Sequence, residues 1–307
     1  MTQTQYHQHT LAAPFTCFGR GLHTGVAVVM KVLPAPEHTG VTFVRRDCKS
    51  GENEVRAIWF NVRNNRLNTT IANRFGVTIN TIEHIMAALF AHGVDNARVV
   101  LDGPEVPILE GSARTFSDLI LASGVRAQRA RRKVIVVRHP VAISDGDKRA
   151  ALTPSPVLSA DLTISFKAAA IGTQRLPNVR LDEATFTSSI RDARTFGMAE
   201  DIESMLQSGY GRGASLRNAI VVKGDSIVNP EGLFYPDEFV RHKILDLYGD
   251  LSLAGAPIVG HFRGYKSGHQ MNTDLLSELL CESENFAFVD KEYAEHYWLE
   301  IHYKNIA

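Results

Sequence analysis

The chain has 307 residues, 44% of them apolar and 21% charged, with 33 basic residues against 33 acidic ones. That length fits one large or two ordinary domains, and the composition is that of a globular protein. A formal net charge of zero gives no global pull toward nucleic acid or an acidic surface, and no apolar run approaches the ~20 residues that span a bilayer.

The opening segment, MTQTQYHQHTLAAPF, has neither a basic n-region nor an apolar core, so no signal peptide is expected. Cys17, Cys48 and Cys281 are odd in number and widely spaced, with no CxxC, so neither a disulfide framework nor a structural zinc site is implied. A reducing cytoplasm is the expected compartment. Residues 9 to 45 read as strands broken at glycines and prolines. His23 falls in the Gly-flanked turn GLHTG, as a turn residue first and a site-mouth residue second. Residues 51 to 72 read as polar and irregular.

TINTIEHIMAALFAHG, residues 78 to 93, carries Ile82, Ile85, Met86 and Leu89 at helical spacing, with Gly93 to end the helix. Glu83 and His84 lie in the first turn, off the apolar stripe. Glu83 stands three residues after Asn80, which also fits a capping box. PEVPILEGSARTFSDLILASG turns and becomes a helix from about Ala113, with Glu110 read as tying the loop. The basic run VRAQRARRKV, 125 to 134, lacks aromatics and reads as a solvated linker and domain boundary rather than a nucleic-acid site.

In the second half, DLTISFKAAAIGTQ is a strand running into a loop, with Phe166 readable as a core aromatic. After Thr195, a helix is expected to carry Met198, Ile202, Met205 and Leu206 on one stripe. YGRGASLRNAIVV is a Gly-rich turn without the GK[ST] of a phosphate loop. FVRHKILDLYGD, 239 to 250, is a helix with Val240, Ile244, Leu247 and Leu251 on one stripe and His242, Asp246 and Asp250 on another. Alone, the polar stripe fits a solvated face. Beside Glu83 and His84 it supplies metal-ligand chemistry, with imidazole and carboxylate one turn apart. Asp250 lies roughly 12 Å along the helix from His242, which makes it an outer partner rather than a ligand. His269, in YKSGHQMN, is placed in a loop as a candidate acid. Strands, a ligand-bearing helix, a glycine and a strand recur in both halves. This predicts two α/β domains of similar plan, 1–128 and 129–307, with the site between them.

In chain order, GRGLHTG, EHIMAAL, PEVPILEGSA, RTFG, RHKILDLYGDL and YKSGH resemble the UDP-3-O-acyl-N-acetylglucosamine deacetylase family over nearly the whole chain. The resemblance implies an α+β fold: two domains, each a β-sheet layered with helices packed inward, each with a small insert, the second about 195–222. It implies a zinc enzyme with one Zn²⁺ per chain held by His84, His242 and Asp246, and with Glu83, His269, Thr195 and Asp250 as the catalytic set. Glu83 would act as base, His269 as acid and Thr195 as a hydrogen-bond donor to the substrate carbonyl. Phe166, Phe196, Lys243, Lys266, Met198 and Ile202 would contact the acylated UDP-sugar: Phe166 against the uracil, the lysines against the diphosphate, Met198 and Ile202 along the acyl chain. The activity implied is removal of the N-acetyl group in the committed step of lipid A synthesis in Gram-negative bacteria. The partners implied are the substrate alone, with at most transient membrane-surface contact, no nucleic acid and a monomeric state. The chain departs from the family at Asn68, Ser165, Lys167, Ala168 and Arg217. Residue chemistry alone leaves open another zinc amidohydrolase, though HExxH is absent, or a non-catalytic binder of nucleotide-sugar lipids.

Overall fold

The computed structural model describes residues 3–64 and 67–303. Two five-stranded mixed sheets form the outer layers. The first runs Phe15–Arg20, Ala27–Pro34, Ala97–Leu101, Val41–Arg45, Glu54–Arg56. The second runs Val141–Asp145, Lys148–Thr153, His261–Tyr265, Ser159–Ser165, Thr173–Arg180. The two orders match strand for strand. In each, the central strand enters last, antiparallel to the second strand and parallel to the fourth. The strands alternate buried and exposed residues, as in Ala97–Leu101 and Ser159–Ser165, because one face meets the helices and the other does not.

Before each central strand comes a helix, Glu83–Ala91 in the first half and Glu238–Ser252 in the second, and these two pack on each other. Arg114–Ser123 flanks the first and His269–Cys281 the second, which completes a sheet–helix–helix–sheet sandwich. Burying each of Ile82, Ile85 and Leu89, all 0% exposed, contributes ~1.5–3 kcal/mol. Each half also carries a small three-stranded insert between its fourth and fifth strands in sequence. These are Val62–Asn64, Thr70–Ala72 and Thr78–Ile79, and Phe196–Met198, Ile220–Lys223 and Ser226–Ile227. One apolar cluster runs from Leu11 to Leu279 through both halves.

Several local expectations need correction. Residues 125–131 form a strand paired antiparallel with His7–Leu11, so the basic run is solvated as expected but is a strand rather than a linker, and the expected 128/129 boundary falls inside it. Among the described residues, the stretch 51–72 contains three short strands and a 3₁₀ turn. His269 is the first residue of a helix, not a loop residue. Met198 ends a strand, and only Ile202–Gln207 of its expected helix is α-helical.

Candidate metal centre and its acid–base partners

The site forms where the two central helices cross. They meet so closely that a Cβ on Gly249 would stand 2.2 Å from the Glu83 carbonyl oxygen; only glycine permits this approach. The crossing lays the first turn of Glu83–Ala91 over two turns of Glu238–Ser252. The polar stripe of the second helix is consequently buried: His242 and Asp246 are each 2% exposed and Asp250 is 0%. This is not a solvated face, and burial of such groups requires partners.

His84, His242 and Asp246 each direct one ligand atom into a common space, all within 4.8 Å of one another. His242 Nε2 lies 3.4 Å from Asp246 Oδ1 and His84 Nε2 lies 4.0 Å from it. His242 Nδ1 is 3.0 Å from the Ala193 carbonyl oxygen, which can accept only from Nδ1–H and so leaves Nε2 as the bare nitrogen. Asp246 Oδ1 and His84 Nδ1 are buried without a hydrogen-bond partner among the described residues. A divalent cation among these groups would satisfy the orphaned carboxylate oxygen, and two imidazoles plus one carboxylate suit Zn²⁺. Burial, reinforced by His242, pushes the His84 imidazole down to about 3, the neutral form a ligand needs. Burial opposes ionisation of Asp246, but Lys243 and His242 overcome it and hold the carboxyl below its usual range.

Glu83 and His269 flank this group. His269 Nε2 is 4.0 Å from Glu83 Oε1 and 3.7 Å from Asp246 Oδ2. Burial, with Asp246 and Asp250 adding to it, raises the Glu83 carboxyl to about 8 against the pull of His269. His269 moves the other way for an imidazole: burial works against its charge, but Asp250 and Asp246 prevail and raise it to about 9. Asp250 Oδ2 is 2.9 Å from His269 Nδ1 and accepts from Asn272 Nδ2 at 2.9 Å. Glu83 does not cap its helix. The N-cap is Ile82, and Glu83 Oε2 accepts from the Thr69 N–H at 3.0 Å.

The group opens into a cavity of about 930 Å³ lined from both halves. Thr195 lines it, its backbone fixed by N–H donation to the Gly111 carbonyl at 2.8 Å. Phe166 and Phe196 meet edge to face at 5.5 Å on one wall. Met198, Ile202, Met205 and Leu206 line it too. Ile202 is 41% and Leu206 45% exposed, so they are wall residues rather than core. Lys243 is not a free point charge, since its Nζ donates to Asp246 Oδ2 at 2.8 Å. Lys266 also lines the cavity and is paired with Asp147. The Asn68 side-chain amide donates to Thr81 Oγ1. Glu110 accepts from Ser112, from the Thr115 N–H and from the Thr115 hydroxyl, tying its loop. Nothing in the structure explains Arg217.

Thr69 carries no signal in the sequence, and His23, in its Gly-flanked turn, reads as a site-mouth residue only second. His23 is buried and lines the cavity as well as forming its turn. Thr69 touches Glu83, Asp250 and His269 at once. The second-half insert also leans on the first half: the N–H groups of Arg212 and Gly213 donate to the carbonyls of His23 and Leu22. A Cβ on Gly213 would stand 2.1 Å from the Gly21 carbonyl oxygen.

A buried His–His–Asp group open to a cavity, with a carboxyl and an imidazole beside it, has the layout of a metal-dependent hydrolase. Residues 8–281 match the family model described as UDP-3-O-acyl N-acetylglycosamine deacetylase. The chain is 46% identical over 277 residues to a UDP-3-O-acyl-N-acetylglucosamine deacetylase from Phenylobacterium zucineum, covering 90% of this chain and 94% of that one. It is 44% identical over 289 residues to one from Myxococcus xanthus, covering 94% and 91%. The chain belongs to this deacetylase family.

Proposed function

We propose that this chain is a zinc-dependent amidohydrolase. It removes the N-acetyl group of a UDP-3-O-acyl-N-acetylglucosamine, yielding acetate and the free amine of a lipid A precursor. The observation that supports it most directly is the convergence of Glu83 and His269 on the His84–His242–Asp246 group at a cavity floor. His84, His242 and Asp246 would hold one Zn²⁺ per chain, which when bound supplies Lewis acidity to water and to the acetamide carbonyl. Glu83, acting in its ionised form, takes a proton from the attacking water. Thr195 donates a hydrogen bond to the carbonyl oxygen as charge develops there. His269, kept protonated by Asp250, gives a proton to the leaving nitrogen as the C–N bond breaks. Lys243 holds Asp246 ionised and oriented; Lys266, whose ion-pair partner Asp147 is solvent-exposed, meets the diphosphate. Phe166 and Phe196 form the uracil-side wall, and Met198 and Ile202 the acyl-side wall.

No helix among the described residues is long and apolar enough to cross a membrane. A monomer acting in the cytoplasm on a lipid-like substrate completes the reading. The test is acetate release from the acylated UDP-sugar alongside the zinc stoichiometry of the purified protein. About one zinc per chain with acetate release is expected. A zinc-loaded chain that leaves the acylated UDP-sugar intact would overturn the reading.

A further inference from the structure

Thr69 comes from the first-half insert and is 1% exposed. Its N–H donates to Glu83 Oε2 at 3.0 Å, and its hydroxyl donates to Asp250 Oδ1 at 2.7 Å. His269 Nδ1 lies 3.2 Å from the same hydroxyl oxygen. These partners stand 14, 181 and 200 residues away in sequence, so one threonine reaches both proton-handling arms. Its own backbone is pinned: the Thr69 carbonyl accepts from the Ile82 N–H, at the start of the helix that carries Glu83. Next to it, the Asn68 amide donates to Thr81 Oγ1, which donates to Glu105 Oε1. Glu105 in turn accepts from the N–H groups of His23 and Thr24.

We propose that Thr69 is a positioning residue for the hydrolysis: its N–H sets the Glu83 carboxylate, and its hydroxyl fixes Asp250, which orients the His269 imidazole. The hydroxyl occupies the carboxylate oxygen that Asn272 does not reach. Without it, the one contact left to Oδ1 among the described residues is His269 at 3.2 Å, and the Asp250 carboxylate is held at Oδ2 by His269 and Asn272, with less restraint about its Cβ–Cγ bond. A loosened Asp250 lets the imidazole drift from the leaving nitrogen, and small misplacements of an acid are costly to rate. A merely structural threonine would affect stability and leave turnover per folded molecule unchanged.

This inference rests on the deacetylase reading, and the experiment separates the two. Thr69→Val is expected to keep full zinc stoichiometry and KM within about twofold while lowering kcat about 10- to 100-fold, the rate equivalent of one hydrogen bond to a charged group. Thr69→Ser, which keeps the hydroxyl, should stay within about threefold of wild type. In an Asp250→Asn background, adding Thr69→Val should cost less than about threefold, because residues acting in series are not additive. Should Thr69→Val fail to fold, Thr69→Ala against Thr69→Ser, read as kcat per zinc-loaded chain, carries the same comparison. Wild-type kcat in the hydroxyl-free variant, a serine variant as slow as the valine one, or full additivity with Asp250→Asn each overturns the assignment. A wild type that releases no acetate sinks the deacetylase reading itself; an active wild type with an indifferent Thr69→Val sinks only this one.

Discussion

The two halves share a strand order and differ in what they bring to the site. The first contributes a short helix, Glu83–Ala91, whose opening turn gives one imidazole of the His84–His242–Asp246 group and one carboxyl. The second contributes a longer one, Glu238–Ser252, which spreads His242, Asp246 and Asp250 over two turns, with His269 from the next helix. Equal topology thus carries unequal chemistry. On the proposed reading the first half would supply the proton acceptor and the second most of the metal-holding side chains and the proton donor, so neither half would hold a working set. Four predictions test this division of labour.

The largest effect is expected at the cage. His242→Ala or Asp246→Ala splits the i, i+4 pair of the second half and should remove both metal and activity. His84→Ala leaves that pair intact and should retain a weakly held metal, measurable by zinc content under increasing chelator. Equal retention in all three variants would mean the halves share the metal evenly. Next comes Glu83→Ala, which should keep the metal and lose about 10²–10⁴-fold in kcat, the usual worth of a positioned base.

A smaller effect, on stability, is expected at the crossing. Gly249→Ala forces a methyl against the Glu83 carbonyl and should cost ~1–3 kcal/mol by overpacking. Denaturant unfolding checks it; an unchanged midpoint would show that the helices can part without strain.

The smallest effect concerns pH. A His269 raised to about 9 is protonated at neutral pH and loses its proton as pH rises through that value, so the rate should fall on the alkaline side near 9. Asp250→Asn removes the largest influence favouring the charged imidazole and should shift that limb toward lower pH. A limb that stays in place in the Asn variant would assign it to another group.

Much of this was legible in the sequence because helical spacing fixes which residues share a face. His242, Asp246 and Asp250 could be placed together from i, i+4, i+8 alone, and the recurring strand–helix–strand pattern pointed to two similar halves. What stayed hidden depends on contacts between distant segments. The Asn80-x-x-Glu83 spacing matches a capping box, yet Glu83 serves the Thr69 N–H and Asn80 Oδ1 accepts from Thr70. Thr69 lies in a polar stretch without periodicity, and its role exists only through partners up to 200 residues away. The strand 125–131 was missed because it is largely exposed along both faces and alternates Arg with small residues, leaving no apolar period to read. His269 gave no helix signal because Gly268, at the N-cap, has no side chain with which to cap.

The second-half insert has one wall tied and one wall loose. At Arg212 and Gly213 its backbone is bonded to the first half at contact distance. Elsewhere in the cavity lining, Ile202 and Leu206 stand nearly half exposed on a helix of six residues. Tolerance of chain length should therefore be lopsided. On the proposed reading, a shorter acyl chain buries less apolar surface and forfeits ~0.8 kcal/mol per lost methylene, about a hundredfold in kcat/KM over four carbons. A longer one can slide past Ile202 and Leu206 into water, where each extra carbon changes little.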